Sequence, residues 1–298
     1  MPSGTEVVCA LGCIDQLVGR SHACDFPPEV ASVPVCTRVR LNAAADSASI
    51  DAQVNSSVQS GASIYELDAA QLRGARPDVI LTQSQCALCA VSEAEVEKAV
   101  ASLPAERPKI VSLSAARLAA VWSDIQRIAD ALGVSEEGRE LLKGLKNRVV
   151  DVIEKTCLVT KKPSVACIEW IEPLMSAGNW IPELVDLAGG RDVFGIPGQH
   201  SPRLSWELLA KADPDVIVLM PCGFDLERTR VEAAALEKNP GWRKLRAVKS
   251  KNVVALDGSH YFNRPGPRLV DSLELLAEIL HPKRFNYGRA KVASAVVA

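Results

Sequence analysis

Several features are scarce or missing in this chain of 298 residues. Aromatic side chains make up only 4% of it, and the formal net charge is −2, with no excess of either sign. No apolar run approaches the roughly 20 residues that cross a bilayer. A nucleic-acid surface needs a concentrated positive field, which this composition lacks. We therefore expect no membrane span and no nucleic-acid partner.

The motifs of several enzyme classes are also missing. The sequence has no GxGxxG, no GxxxxGK[ST] and no GxSxG, and no nucleophile is spaced with a histidine as in a catalytic triad. The sequence therefore predicts a protein that is not an enzyme. An enzyme of related metal-chelating α/β folds, with His260 or Glu169 as the base, is a third hypothesis.

The amino-terminal residues lack the basic segment and the apolar run of a signal peptide. Nine cysteines, an odd number, do not suit an evenly paired disulfide scaffold. Reduced thiols in the cytoplasm are therefore the expectation for the sequence as written. A misplaced gene start would change this expectation to the periplasm.

One pattern occurs twice in the chain. Residues 72–86 and 208–222 each contain leucine, then Pro-Asp-Val-Ile, further apolar residues and a cysteine. The proline ends a helix, and the short β-branched run is typical of a parallel strand covered on both faces. A second strand is predicted downstream in each half, at 108–113 and 252–257, with a helix candidate between the two strands. Two similar α/β lobes follow from this repeat.

A helical segment separates the two predicted lobes. Apolar residues from Leu118 to Leu132 recur at helical spacing, Gly133 is a predicted stop, and Ser135 begins a second helix that runs to about Lys155. The fold class is therefore α/β, with two similar lobes of mainly parallel sheets, a long backbone helix between them and a ligand cleft between the lobes. The predicted divisions are an N-terminal lobe at 1–113, whose first strand could be missing, connecting helices at 114–160, a C-terminal lobe at 161–285 and a frayed tail at 286–298.

Polar and aromatic residues follow the predicted strands, including one predicted at 16–19. In parallel α/β sheets, ligands bind beyond the carboxyl ends of the strands. A few polar groups among aromatic walls are typical of a ligand cleft, although loops attract polar residues in any case. The candidate ligand-binding residues are His22, Gln83, Gln85, Trp170, Trp180, Phe224, His260, Tyr261 and Arg264.

A cysteine and histidine cluster occurs in the first lobe. The pairs His22-x-Cys24 and Cys86-x-x-Cys89 each follow a predicted strand. Three thiolates and an imidazole match a tetrahedral zinc site, if the two pairs meet. Zinc or another thiophilic metal ion held by His22, Cys24, Cys86 and Cys89 is therefore an alternative function. A redox pair and purely structural cysteines are the other interpretations, and Cys36 and Cys222 also follow predicted strands.

Two segments resemble a known family. Residues 3–12 with Leu17-Val18-Gly19, and residues 179–190, are similar to the periplasmic-binding-protein domain for iron-siderophores and cobalamin. The resemblance covers about residues 3–282. It implies two α/β lobes joined by a long backbone helix, which agrees with the repeat and the connector.

Within that family, the chain looks closest to the cobalamin-binding-protein-like group, on segments 20–25 and 85–92. The resemblance implies non-catalytic capture of a corrinoid or a similar metal chelate, and delivery to an ABC importer, with no required cofactor. Trp170, Trp180 and Tyr261 would cover the ligand's faces, and His22 or His260 would approach the metal.

The family's domain usually begins with a strand before the Ser-x-Thr-Glu turn, where this chain starts. Either that strand is absent or the gene start is misplaced. A cytosolic protein of this fold could store, buffer or sense its ligand instead of delivering it to an importer.

Overall fold

The computed structural model describes residues 1–84, 91, 93–101 and 107–297, which form two α/β units. The N-terminal unit comprises Met1–Ala45, Ser49–Ala115 and Ala119–Gly144, and the C-terminal unit comprises Asp46–Ala48, Ala116–Leu118 and Leu145–Ala298. The predicted α/β class with two similar halves is confirmed. The predicted division points and the cleft between the halves stay predictions. Within the described ranges, no helix is both long and apolar enough to cross a membrane.

The N-terminal unit contains two small sheets and the helices around them. Its elements are α1 (Pro2–Ala10), β1 (Thr37–Val39), α2 (Ser47–Gln59, whose first two residues belong to the other unit), β2 (Tyr65–Leu67), α3 (Ala69–Ala75), β3 (Val79–Gln83), α4 (Glu93–Ala101), β4 (Lys109–Leu113) and α5 (Leu118–Ala131, whose first residue belongs to the other unit). Strands β3 and β4 are parallel, with Val79 opposite Lys109, and β1 and β2 are antiparallel. The long helix α6 (Ser135–Thr156) begins in this unit and ends in the next, as the sequence predicts.

The C-terminal unit is built on one larger sheet. Its elements are β5 (Ser164–Trp170), β6 (Met175–Ser176), α7 (Ile181–Leu187), β7 (Arg191–Asp192), α8 (Trp206–Ala212), β8 (Val216–Leu219), α9 (Leu226–Ala233), α10 (Arg246–Lys249), β9 (Val253–Leu256), α11 (Leu269–Leu280), α12 (Ala290–Ala293) and β10 (Ser294–Val296). The strand order is β10-β9-β8-β5-β6, with β7 also paired to β5. The central strands β9, β8 and β5 are parallel, and both β8 and β9 are buried along their whole length.

The predicted repeat is confirmed. Helix α3 is capped by Asp68, and α8 by Ser205. Each helix ends at a left-handed residue, Arg76 with φ 47° or Asp213 with φ 38°, directly before the Pro-Asp turn. A proline cannot continue a helix, so both turns lead straight into a strand. Each of these strands, β3 and β8, is then followed by a helix and a parallel partner strand.

The strand predicted at 16–19 is wrong. A short 3-10 helix occupies Ile14–Gln16, and the following segment makes only an isolated parallel bridge, Arg20 with Val35. A single bridge does not form a strand. Cys36 consequently precedes a strand, β1, and does not follow one.

The carboxyl-terminal segment is ordered, which differs from the predicted frayed tail. The carboxylate of Glu278 accepts hydrogen bonds from the backbone N–H groups of Gly288 and Ala290, at 2.6 and 2.8 Å. Strand β10 then pairs antiparallel with β9. The small, polar side chains of this segment gave no sign that it forms a strand. A strand at a sheet edge pairs through its backbone groups and not through its side chains.

Candidate functional site

The loops at the carboxyl edge of the C-terminal sheet converge. Backbone hydrogen bonds join them: Ser259 N–H donates to Phe224 O at 3.0 Å, and Cys222 N–H donates to Glu169 O at 3.1 Å. Neighbouring parallel strands end at the same edge, which is where α/β sheets bind ligands. We define the edge cluster as Glu169, Trp170, Phe224, Asp257, His260, Tyr261 and Arg264.

Gly258 allows the loop after β9 to approach the loop after β8. A Cβ atom at this position would lie 2.3 Å from Pro221 O and 2.6 Å from Met220 O. Only glycine fits such a close approach of two backbones. The side chains of Asp257 and His260 are thereby held beside the end of β8.

Trp170 and Phe224 form the aromatic part of the edge cluster. Their ring centroids are 5.3 Å apart at an interplanar angle of 50°. The half-buried Trp170 donates its Nε1–H to Ser47 O at 3.2 Å and to Glu172 O at 3.1 Å, which fixes the ring. The guanidinium of Arg228 lies 3.7 Å from the centroid of the buried Phe224 ring. Trp170 and Phe224 therefore form an apolar cluster beside the cation of Arg228.

A second aromatic and cationic pair follows β9. The guanidinium of Arg268 lies 4.7 Å from the ring centroid of the half-buried Tyr261. Ser272 Oγ donates to Tyr261 O and anchors its backbone. Arg264 is only 6% exposed, and its Nη2 donates to Ser259 Oγ at 3.3 Å. This loop therefore holds a half-buried aromatic ring beside the Arg268 guanidinium, with the buried Arg264 next to them in the chain.

His260 is oriented by Asp257. The distance from His260 Nδ1 to Asp257 Oδ2 is 2.6 Å, and the backbone N–H of His260 donates to Asp257 Oδ1 at 2.8 Å. A carboxylate at Nδ1 favours the tautomer with the proton on that nitrogen, which makes Nε2 the basic atom of the ring. Carboxylate–histidine pairs of this kind commonly orient metal ligands.

Glu169 lies beside Trp170 at the end of β5. Ser201 Oγ donates to the carboxylate, at 2.9 Å from each oxygen. Burial raises the pKa of Glu169 above its usual value, although hydrogen bonds from Ser201 and the Gly178 backbone oppose this shift. The edge cluster thus contains a desolvated carboxyl group next to an aromatic wall.

Trp180 occupies a packing position. It is 6% exposed, and its Nε1–H donates to Phe262 O at 2.9 Å. The indole therefore ties α7 to the loop after β9. This placement favours a structural role, and ligand contact by Trp180 stays a prediction.

The other predicted residues lie in the N-terminal unit. His22 Nδ1 lies 2.8 Å from Thr37 Oγ1, and its ring centroid is 5.5 Å from that of Tyr65. Burial and the charge of the amino terminus lower the pKa of His22. Gln83 is the last residue of β3, and Gln85 lies outside the described residues. The ligand role of these residues stays a prediction.

Cys24 is fully buried between two hydroxyl groups. Thr5 Oγ1 donates to its Sγ at 3.1 Å, and Ser21 Oγ lies 3.1 Å from the same sulfur. Burial disfavours its thiolate, but the amino-terminal charge and the hydrogen bonds from Ser21 and Thr5 outweigh burial and lower its pKa.

Two of the four residues of the predicted zinc site lie outside the described part of the chain. Cys86 and Cys89 lie in the segment that the structure does not describe. In the ranges that are described, no three His, Cys, Asp or Glu side chains are grouped as metal ligands. The four-ligand site therefore stays a prediction.

Four residues of the C-terminal site were missed from the sequence: Ser201, Arg228, Asp257 and Arg268. The Asp257 to His260 spacing is that of a residue that caps a turn, which could have revealed the pair. Ser201 is 32 positions from Glu169 and carried no local pattern. Only the folded chain brings these two together.

The chain matches the sequence profile of the family described as periplasmic binding protein over residues 1–259. It is 24% identical to the uncharacterized ABC transporter substrate-binding lipoprotein YvrC of Bacillus subtilis over 291 residues, which is 96% of this chain and 79% of that protein. It is 31% identical to a cobalamin-binding protein of Halobacterium salinarum over 106 residues, which is 35% of this chain and 28% of that protein.

The fold is also similar to that of solved protein structures. The structure of a periplasmic heme binding protein from Pseudomonas aeruginosa matches 95% of this chain and 91% of its own, with a TM-score of 0.72 and 22% identity. At this identity the likeness concerns the fold alone. Because the family profile spans most of the chain, the protein belongs to the periplasmic binding protein family, whose members bind substrates and do not convert them.

Proposed function

We propose that this protein binds a metal chelate of the corrinoid class, and that the edge cluster supplies the C-terminal part of its site. The observation that carries the proposal is that two half-buried aromatic residues, Tyr261 and Trp170 on the buried Phe224, lie with the Asp257–His260 pair at one sheet edge. Aromatic faces suit the large flat surface of a macrocycle, and an oriented imidazole suits its metal. The partial match to a cobalamin-binding protein supports this ligand class.

Delivery to an ABC importer is the role that the relatives suggest. YvrC is described as an ABC transporter substrate-binding lipoprotein, and the solved neighbour as periplasmic. We propose that this chain likewise acts outside the cytoplasm and passes its ligand to a membrane transporter.

The position of three arginine residues favours heme as the second candidate ligand. Arg228 and Arg268 lie against aromatic rings of the site, and Arg264 is in the same loop as Tyr261. Guanidinium groups pair well with carboxylates, which a heme carries and a corrinoid amide does not.

A titration of the reduced protein with hydroxocobalamin, followed by absorption, tests the proposal. We expect a saturable shift of the corrinoid bands, and Trp170→Ala should raise Kd about tenfold, since an aromatic contact contributes ~0.5–1.5 kcal/mol beyond its buried area. Trp206→Ala is the matched control, because Trp206 is also half-buried in this unit but packs against Trp242. The control should leave Kd unchanged.

A parallel titration with hemin separates the candidates. Binding of hemin with no response to hydroxocobalamin would replace the corrinoid with heme. Failure of both, with about one zinc per chain that is lost in Cys86→Ser, would overturn the chelate proposal in favour of the metal-ion alternative. In Asp257→Asn we expect a weaker band shift with a smaller change in Kd, because the imidazole loses its orientation while the aromatic wall remains.

A further inference from the structure

The sulfur of Cys24 is held against helix α1 by a residue of that helix. Thr5 Oγ1 donates to Cys24 Sγ at 3.1 Å, and Cys24 is fully buried. The loop that carries Cys24 is fixed as well, because Arg20 Nη1 donates to Cys24 O at 2.9 Å and Cys24 N–H donates to Ser21 O at 3.1 Å. The Cys24 sulfur therefore has a defined position beside Thr5.

Cys9 lies one helical turn after Thr5 on the same face of α1. Residues four positions apart on a helix are neighbours, with about 5–6 Å between their Cβ atoms. Each Cα–Cβ bond of a helix tilts toward the amino end, so the side chain of Cys9 reaches back over the turn that contains Thr5. The geometry of the helix thus directs Cys9 toward the hydroxyl group that contacts Cys24.

The charges that act on Cys9 agree with this placement. Burial is the main cause that raises the pKa of Cys9 to about 11, and the charges of Glu6, Glu29 and Cys24 add to the rise. Glu29 belongs to the 3-10 helix Pro28–Ser32, which follows the Cys24 loop in the chain. Both Cys24 and the residues after it therefore lie close to Cys9.

The other described cysteines of this unit have different neighbours. Cys13 is buried, and its Sγ donates to the carbonyl group two residues earlier at 3.7 Å. Cys36 is also buried, and it lies so close to Gly19 that a Cβ atom there would be 2.7 Å from the Cys36 sulfur. These contacts favour Cys9 as the partner of Cys24.

We propose that Cys9 and Cys24, both free thiols in this structure, form a reversible disulfide bond that joins α1 to the loop carrying His22. The bond fixes the position of His22, a predicted ligand residue, relative to α1. The inference rests on the part of the proposed function that places the protein outside the cytoplasm, where oxidising surroundings preserve disulfides. It does not depend on the identity of the ligand.

Two thiol–disulfide exchanges with a small disulfide such as oxidised glutathione make the bond. Cys9 is half-buried and can be reached from solution, whereas Cys24 is buried. The Cys9 thiolate attacks the glutathione disulfide and releases one glutathione thiolate. The Cys24 thiolate then attacks the Cys9 sulfur and releases the second. Two protein thiols are oxidised, the glutathione disulfide is reduced, and the two protein protons end on the two glutathione molecules.

Oxidation of the folded chain with glutathione disulfide, followed by peptide mapping, tests the proposal. The remaining thiols are blocked with N-ethylmaleimide before trypsin cleaves after Arg20 and Arg38. We expect a linked pair of the fragments 1–20 and 21–38, which separates on reduction. Fragmentation of the pair in the mass spectrometer should assign the bond to Cys9 and Cys24.

Two matched variants locate the bond. Cys9→Ser should lower the yield of the linked pair at least tenfold, because the partner of Cys24 is removed. Cys13→Ser is the control, since Cys13 lies on the same fragment, and it should leave the yield unchanged. Equal yields in the two variants would overturn the proposal. A bond from Cys24 to any cysteine other than Cys9 would overturn it as well.

The natural protein tests whether the bond forms where the protein acts. Cells of the source are lysed with N-ethylmaleimide present, and the protein from outside the cytoplasm should contain the linked fragments with Cys9 and Cys24. Separate fragments in that fraction would overturn the inference. Protein found only in the cytoplasm would instead overturn the proposed location, and the mapping of the oxidised chain would then decide on the bond.

Discussion

The two units carry the same Pro-Asp-Val-Ile sequence and bury it differently. In the C-terminal unit, the strand after Pro214 is buried at all four residues. In the N-terminal unit, the strand after Pro77 is buried at only one residue of five. The local sequence is shared, so the difference comes from neighbours: β8 lies between two strands, and β3 pairs only with β4 among the described strands. Burial is therefore a property of the completed sheet and not of the strand's own residues.

The buried charged network of the C-terminal unit should give the largest effect on stability, and it extends the comparison of burial from strands to charged groups. Arg148 donates to both oxygens of Glu274 at 2.8 Å, and Glu274 is 5% exposed. Arg148→Met should lower the free energy of unfolding of this unit by about 3 kcal/mol, because Glu274 stays buried with fewer partners. Urea unfolding followed by circular dichroism measures the change.

The same helix offers a control for that variant. Arg139 pairs with Glu136 on the exposed surface of the N-terminal part of α6. Arg139→Met should change the urea midpoint very little, since exposed pairs contribute little to stability. Equal effects of the two variants on the urea midpoint would show that the buried pair Arg148–Glu274 adds no more stability than an exposed pair does.

The two helix caps compare the repeats directly. Asp68 caps α3 by accepting from Ala70 N and Gln71 N, and Ser205 caps α8 by accepting from Leu208 N. Each change to alanine should cost about 1 kcal/mol. Trp122 is the single tryptophan of the N-terminal unit, so its resolved fluorine signal in protein labelled with 5-fluorotryptophan reports that unit.

If the lower burial of β3 makes the N-terminal unit the weaker one, Asp68→Ala should shift the Trp122 transition and Ser205→Ala should not. A shift of one common transition by both variants would instead show that the two units unfold together.

Acid should also test the buried network, with a smaller effect on the free energy of unfolding than the loss of Arg148. Burial disfavours the charge of Glu274, but hydrogen bonds and charges from Arg148 and Arg289 outweigh it and lower its pKa. A lowered pKa stabilises the fold fully above the usual glutamate value of about 4.3, and this contribution is lost as the pH falls through the lower folded value. Urea midpoints measured from pH 6 down to pH 3 should fall less steeply in Glu274→Gln than in the unchanged protein. An unchanged slope would contradict this role.

Part of the site was predictable because it follows from strand ends. Trp170, Phe224 and Tyr261 lie at the carboxyl edge of the sheet, where the pattern of strands indicates a ligand site. The pairing of Glu169 with Ser201 was not predictable, because 32 residues separate them. The hydrogen bond from Trp180 to Phe262 O was not predictable either, because 82 residues separate the two.

The sequence by itself determined the repeat, the long helix from Ser135 and the family, because these depend on local spacing and on residues close in the chain. Tertiary structure alone decided the close approach at Gly258, the order of the tail and the cover of each strand. These features depend on which backbone groups find partners far away in the sequence. A strand's own residues encode its shape, whereas its burial and its hydrogen bonds are supplied by whatever lies beside it.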